Sequence, residues 1–189
     1  MPSTADCPDS LEQIYELNRL FLQSLRSQEA EDLRETKFPS GAVRALRSAD
    51  ADVLDAVAEY PRALFDVGLE EPRMAAKMPA VSSARQILEM TIMFCAWKMS
   101  RDSEYHARLF FGMAPDVIHT LRTTALSELP RIALTRARID CAFPDADWLW
   151  RELLTETRPE ARRQLILIAL QPSVDGTRLS SRVADYAGP

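Results

Sequence analysis

The sequence is poor in the residues from which catalytic and metal sites are commonly built. It has 5 glycines, 3 cysteines and 2 histidines among 189 residues. The glycines form no phosphate-binding loop, and no GxSxG or HExxH motif is present. His106 and His119 lie on different predicted helices, where each is more typical of a half-exposed helix residue than of a ligand or base. We therefore predict a protein that is not an enzyme and has no cofactor and no metal site.

The cysteines are widely spaced, and they form no CxxC pair or Cys/His cluster that would indicate structural zinc. An odd cysteine count without a basic-then-apolar leader predicts a reduced, cytoplasmic protein. The apolar runs Ile87–Trp97 and Leu165–Leu170 are too short to span a bilayer, so no membrane role is expected. We expect Cys95 to be a small buried side chain and Cys141 to be exposed enough to crosslink.

The composition is that of a core-forming protein with little general attraction for anionic partners. Hydrophobic residues make up 47% of the chain, and the formal net charge is −5. A negative net charge gives the whole molecule no electrostatic attraction for DNA or anionic lipid. Any DNA contact would need a local basic patch or a more basic partner.

Apolar residues recur mostly at spacings of three and four, which predicts an all-α fold. A first helix from about residue 10 to 28 carries one continuous apolar stripe. A second long helix begins near Ala84, is more apolar all round and is placed at the centre of the core. The helix, or a continuation broken at Ser103, reaches Phe111 and stops at Gly112. Pro115 and Ser127 then open two short helices. Further helices are predicted at about 146–156 and after the capping box that begins at Thr157.

Shifting the chain by 75 positions aligns its two long helices and the elements that follow them. The shift matches Leu46 with Leu121, and Leu54 with Leu129. This order of helix, break, short helix and capped helix indicates an internal duplication. The second unit, centred on residues 110–143, continues into the C-terminal helices, whereas the first ends at a linker rich in proline, glycine and serine.

Two groups of side chains are candidates for contacts with other molecules. Trp148 and Trp150 are two apart on one helix, so both cannot face the same core. One alternative is that Trp148 packs while Trp150 covers a seam, and the other is that a tryptophan anchors a partner. The arginines late in the chain are interleaved with acids, so they suit a solvated surface as well as a phosphate-binding patch. The predicted partner-binding residues are Phe110, Phe111, Trp148 and Trp150, and the predicted DNA-binding residues are Arg158, Arg162 and Arg163.

A start at Ile14-Tyr15 and an exit at Cys141-Ala142-Phe143 together resemble the bacterial flagellar transcriptional regulator FlhD family, in a tandem form. Ile14-Tyr15-Glu16-Leu17-Asn18 is similar to the start of that family's first helix. Phe111-Gly112, Leu121, Leu126, Leu129, Ile132-Ala133 and Cys141-Ala142-Phe143 resemble its later pattern of glycine break, leucine step, Leu-Ala pair and Cys-x-Phe exit.

The resemblance implies an all-α fold in which two related helix-loop-helix units pack as an intramolecular pseudo-dimer. The units would be residues 1–69, truncated, and 84–172, joined by a linker at 70–83 and followed by a flexible tail at 173–189. The family's intersubunit cysteine has no secure counterpart here. The first unit also lacks the terminal helices that would reach DNA.

The function implied is that of a transcription activator subunit that binds promoter DNA together with a zinc-containing partner protein. A non-enzymatic regulator or adaptor that works through protein contacts is the leading prediction, as a pseudo-dimeric monomer or a homodimer. The alternative is an acidic helical chaperone or adaptor of a secretion or stress system that has no DNA role.

Overall fold

The computed structural model describes residues 7–71 and 83–170, and the secondary structure within them is mainly helical. Contacts divide the chain into a compact body that ends at Thr155 and a second body that begins at Glu156. The main body therefore contains both predicted units up to the end of the ninth helix. The predicted linker at 70–83 does not separate two compact bodies.

The elements follow one another in a similar order in the two parts of the main body. The first part contains α1 (Cys7–Ser27), α2 (Ala30–Glu35), α3 (Val43–Ser48), α4 (Ala51–Ala58) and β1 (Phe65–Leu69). The second part contains α5 (Ala84–Asp102), α6 (Glu104–Phe111), α7 (Pro115–Thr123), α8 (Leu129–Thr135), β2 (Ala137–Cys141) and α9 (Asp147–Thr155).

Helix α1 is amphipathic, and its apolar stripe forms much of the core. Ile14, Leu17, Phe21 and Leu25 recur at helical spacing and are buried, while the helix packs on α4 and α5. Burying a side chain of this size stabilises a fold by about 1.5–3 kcal/mol. The stripe that the sequence predicts is therefore confirmed as the face that holds α1 in the body.

Helix α5 begins at a capping box, in which Ser83 and Gln86 each accept a hydrogen bond from the other's backbone N–H. Its buried face includes Ile92, Met93 and Ala96, but Ile87 is 59% exposed. The helix thus has one face in the core and one at the surface. The prediction that α5 lies at the centre of the core holds for only one of its faces.

The breaks between the later helices follow the sequence signals. Ser103 ends α5, and its side chain accepts a hydrogen bond from the N–H of His106 at the start of α6. Gly112 then ends α6 with a left-handed backbone at φ 60°, and Pro115 opens α7. Glycine reaches positive φ without the steric cost that a Cβ atom brings, which explains the stop at this residue.

Strands β1 and β2 pair antiparallel in a two-stranded sheet, with Phe65 opposite Cys141 and Asp66 opposite Asp140. The all-α prediction is therefore corrected to a mainly helical fold with one small sheet. Gly68 lies within β1 although glycine is depleted in strands, so the sequence alone does not indicate a strand here. Each strand spans only five residues, so the alternation of inward and outward side chains is too brief to distinguish from a loop.

The second body contains helix α10, Pro159–Leu170. This helix lies close to the position predicted from the capping box at Thr157. The remainder of the predicted linker, residues 72–82, and the predicted tail at 173–189 lie outside the described residues.

Candidate functional site

The sheet carries two carboxylates directly opposite each other, one pair from its end. Asp66 on β1 pairs in register with Asp140 on β2, so both side chains project from the same face. Like charges at directly opposite positions of an antiparallel pair are destabilising unless cations lie nearby. Three cations fulfil that requirement, and they come from three different segments of the chain.

Asp140 is held by two of these cations and is largely buried. Lys37 Nζ and Arg138 Nε both lie 2.8 Å from Asp140 Oδ2. Charge-assisted contacts of this length are among the stronger hydrogen bonds in proteins. Lys37 comes from the loop after α2, so the pair connects the first part of the main body to the strand of the second.

Among the described residues Asp66 has one ion-pair partner, because Arg62 Nη2 donates to its Oδ1 atom at 3.0 Å. Burial raises the pKa of the Asp66 carboxyl above its usual value of 3.8, although the positive charge of Arg62 opposes this shift. The negative charge of Asp140 adds to the increase. Asp66 is therefore the less well compensated carboxylate of the two.

Gly112 provides the space in which Arg62 lies. A Cβ atom at Gly112 would collide with the Arg62 guanidinium and lie 2.9 Å from Asp66 Oδ1. Arg62 also stacks over the Phe143 ring, with Cζ 5.6 Å from the ring centroid. The absence of a side chain at residue 112 is thus required by the position of Arg62 as well as by the backbone.

Asn18 fixes the loop between α4 and β1 from inside the core. Its amide nitrogen donates to the carbonyls of Ala58, Tyr60 and Arg62 at 3.1, 3.1 and 2.9 Å. Its carbonyl oxygen accepts from the N–H of Leu64 at 2.8 Å. One fully buried side chain therefore lies within hydrogen-bond distance of four backbone groups, and its two N–H groups are shared among three carbonyls.

The residues predicted to contact a partner are mostly inside the main body. Phe110 is 4% exposed, and Phe111 and Trp150 are fully buried. Trp150 donates from Nε1 to the Ala142 carbonyl and packs edge-on against Phe38. Trp148 is partly exposed. The arrangement is thus the reverse of the alternative in which Trp148 packs while Trp150 covers a seam. Of the four residues, Trp148 is the one that is exposed enough to contact a partner.

The three arginines predicted to bind DNA lie in the second body and do not form a uniform basic patch. Arg158 forms two side-chain contacts with Glu156, at 3.1 and 3.0 Å. The hydrogen bonds from Arg158 lower the pKa of Glu156 to about 2, so this arginine is neutralised by a firmly ionised carboxylate. Arg162 is buried and donates to the Glu156 carbonyl. Arg163 is exposed and, within residues 156–170, carries a positive charge with no ion-pair partner.

Neither of the two cysteines with described side chains is a reactive surface thiol. Cys141 is fully buried, which corrects the prediction that it is exposed enough to crosslink. Burial raises its thiol pKa well above the usual value, and the nearby Asp66 and Asp140 charges add to the increase. Cys95 is partly exposed and accepts a hydrogen bond from Gln13 at 3.4 Å; burial raises its pKa too.

Sequence reasoning missed the residues that surround the paired aspartates. Lys37 ends a run of the sequence that is rich in charged residues, and nothing local indicates that it reaches a carboxylate 103 positions later. Asn18 left a usable signal, because it is a polar residue within the apolar stripe of α1. A buried amide in such a stripe needs hydrogen-bond partners and commonly finds them in backbone groups.

Within the described ranges, no group of three or more histidine, cysteine, aspartate or glutamate side chains could hold a metal ion. No helix in those ranges is both long and apolar enough to cross a membrane. Comparison of the chain with protein-family models, with curated proteins and with solved structures finds no match.

Proposed function

We propose that this protein is a tandem FlhD-like regulator subunit or adaptor that acts through protein contacts. Its two units would form a pseudo-dimer within one chain. The observation that carries the proposal is the pairing of β1 with β2, the strands that follow the matching helices of the two units. The 75-residue shift carries β1 onto residues 140–144, so the two strands coincide only in part. It also exchanges the pairs Phe65–Cys141 and Asp66–Asp140, which is what a fused dimer with two-fold symmetry requires.

The order of elements supports the duplication. In each unit a long helix is followed by three short helices and then by a strand. The long helices α1 and α5 also contact each other, and Gln13 of α1 donates to Cys95 of α5. The long helices of the two units contact each other, and their strands pair. Both contacts are consistent with an internal two-fold axis that relates the units.

Backbone and burial patterns give independent support at the 75-residue shift. Lys37 and Gly112 are 75 positions apart, and both have a left-handed backbone, with φ values of 57° and 60°. A positive φ is uncommon outside glycine, so a match between two of the three such residues in the described part of the chain is informative. Residue pairs buried in both units at the same shift include Leu17 and Ile92, Phe21 and Ala96, Leu46 and Leu121, Leu54 and Leu129, Val57 and Ile132, and Ala58 and Ala133.

A role through protein contacts fits the charge distribution better than direct DNA binding by this chain alone. The net charge is −5, and Arg138, Arg151 and Arg158 each lie in an ion pair. Phosphate recognition depends on cations that are free to replace counterions. We therefore propose that promoter DNA is contacted through a complex with a partner, for which the family resemblance suggests a zinc-containing co-regulator.

The decisive experiment is purification of the native complex from its source, followed by gel shifts with promoter fragments. The complex and the isolated chain are compared on each fragment, with coding-sequence fragments of equal length as the control. We expect the complex alone to shift promoter DNA and to contain zinc. If neither sample shifts any promoter fragment, the transcription role is lost.

The same preparation separates the proposal from the alternative of a chaperone or adaptor. A zinc-free partner that is itself an exported or stress-induced protein, in a complex that does not bind DNA, would support the alternative. The identity of the copurified protein, read by mass spectrometry, decides between the two.

A further inference from the structure

The two left-handed positions, Lys37 and Gly112, serve the two opposed carboxylates in opposite ways. Lys37 carries its own cation to Asp140 on the strand of the other unit. Gly112 carries no side chain and leaves space for Arg62, which belongs to the same unit as its carboxylate partner Asp66. The two sides of the sheet are therefore complementary in shape and charge rather than identical.

We propose that Lys37, Gly112 and Arg62 determine which strands pair, so that β1 accepts β2 and rejects the β1 strand of a second copy. This inference rests on the proposed duplication, because it treats residues 37 and 112 as equivalent positions. Its consequence is a pseudo-dimer that closes within one chain, although each unit presents a strand that a second molecule could otherwise pair with.

The first forbidden pairing is that of β1 with β1 from another molecule. In that arrangement the position of Gly112 would be taken by a second Lys37. The lysine side chain would then enter the space that the Arg62 guanidinium fills beside Asp66. Two cations and a Cβ atom would compete for one site, so both steric overlap and like-charge repulsion oppose the pairing.

The pairing of β2 with β2 fails for the opposite reason. Each Asp140 would then face Gly112, which has no cation to replace Lys37. The residue that corresponds to Arg62 at the 75-residue shift is Ala137, so no guanidinium replaces it either. At the same shift Asp66 corresponds to Cys141, so each Asp140 would lie opposite Cys141 and retain only its own Arg138, whereas in the observed pairing two cations hold Asp140.

The test places the forbidden combination inside one full-length chain. Gly112→Lys places a lysine beside the Arg62 guanidinium. This imitates the pairing of two β1 strands, in which a second Lys37 would occupy the position of Gly112. Lys37 shows that a lysine is tolerated at this backbone position, since it has nearly the same φ. Arg62→Ala removes the competing guanidinium, and the double variant Arg62→Ala/Gly112→Lys allows the new lysine to reach Asp66.

The readout is the equilibrium constant for unfolding in urea, measured for the wild type, both single variants and the double variant. We expect Gly112→Lys to raise this constant about tenfold or more, because the new side chain meets the Arg62 guanidinium. In the double variant, Arg62→Ala should reverse at least half of the increase in the logarithm of this constant that Gly112→Lys causes. If the free-energy changes of the two substitutions simply add, the proposal is overturned, because additivity is the behaviour of sites that do not contact each other.

Gly112→Ala in the Arg62→Ala background is the matched control, since it adds a Cβ atom at the same φ without an amine. It should be less stable than the lysine double variant. If Gly112→Lys does not fold, the double variant decides. Folding of Arg62→Ala/Gly112→Lys would support the proposal. The proposal would be overturned if this double variant fails to fold while the alanine control folds. These unfolding measurements do not depend on DNA binding. A negative result would therefore leave the gel-shift test of function unaffected, and a negative gel shift would leave the unfolding result unaffected.

Discussion

At the scale of single residues, Asn18 connects helix α1 to the loop that precedes β1. A fully buried amide that bonds four backbone groups cannot be replaced by an apolar residue without leaving those groups unpaired. Each unsatisfied buried group costs about 1–3 kcal/mol. The residue therefore links the sequence of α1 to the position at which β1 begins.

Asn18→Ala should lower the free energy of unfolding by about 3 kcal/mol, because several buried hydrogen bonds lose their partner together. The measurement is a urea titration followed by circular dichroism. Gln23→Ala is the control, since Gln23 is exposed on the same helix and should change stability by no more than about 0.5 kcal/mol. Equal effects of the two substitutions would show that the amide does not hold the loop.

The opposed carboxylates should respond differently to neutralisation. The pKa of Asp66 is raised in the folded state, so its favourable contribution is present below the unfolded pKa and is lost as pH rises through the folded pKa. Asp66→Asn should therefore leave stability at pH 7 unchanged or increased. It should also flatten the part of the stability profile just above pH 3.8, the usual value for this group.

Asp140→Asn is the matched comparison, and it should reduce stability at pH 7 because it leaves Lys37 and Arg138 without their shared carboxylate. Urea titrations of both variants between pH 3 and pH 8 supply the data. A larger loss for Asp66→Asn than for Asp140→Asn would reverse the assignment of the better-compensated group.

At the scale of elements, the sequence predicts the helices well and the sheet poorly. Helices were readable because a stripe such as that of α1 repeats over five turns and because Gly112 and Pro115 mark their limits. Strands β1 and β2 were not readable because each is five residues long and its partner is far away in sequence. The cluster around Asp66 and Asp140 was missed for the same reason, since it exists only after the strands pair.

Helix α9 offers a contrast between two tryptophans of different exposure. Trp150→Ala should cost about 3–5 kcal/mol, because it removes a buried ring that packs on Phe38 and bonds the Ala142 carbonyl. Trp148→Ala should change stability much less while reducing the amount of partner that copurifies. Thermal unfolding and quantitative pull-down on both variants separate the two roles. A stable Trp148→Ala protein that retains all of its partner would remove Trp148 from the interface.

At the scale of the whole molecule, the proposed closure of the sheet within one chain predicts a monomer. Light scattering at micromolar concentration should give a mass near 21.3 kDa, the mass of one chain. The reason is that β1 already has its complementary partner, at an effective concentration that a second molecule does not match. A stable species larger than 40 kDa would contradict the intramolecular pseudo-dimer.

The register of the sheet also has a consequence for biosynthesis. Asp66 and Asp140 are 74 residues apart, so β1 leaves the ribosome well before β2 has been made. At about 5–20 residues per second, the interval is on the order of ten seconds. During this time β1 has an unpaired edge of the kind that promotes association between nascent chains. Folding of this protein in the cell should therefore be limited by long-range closure of the chain and should benefit from chaperones that shield the early strand.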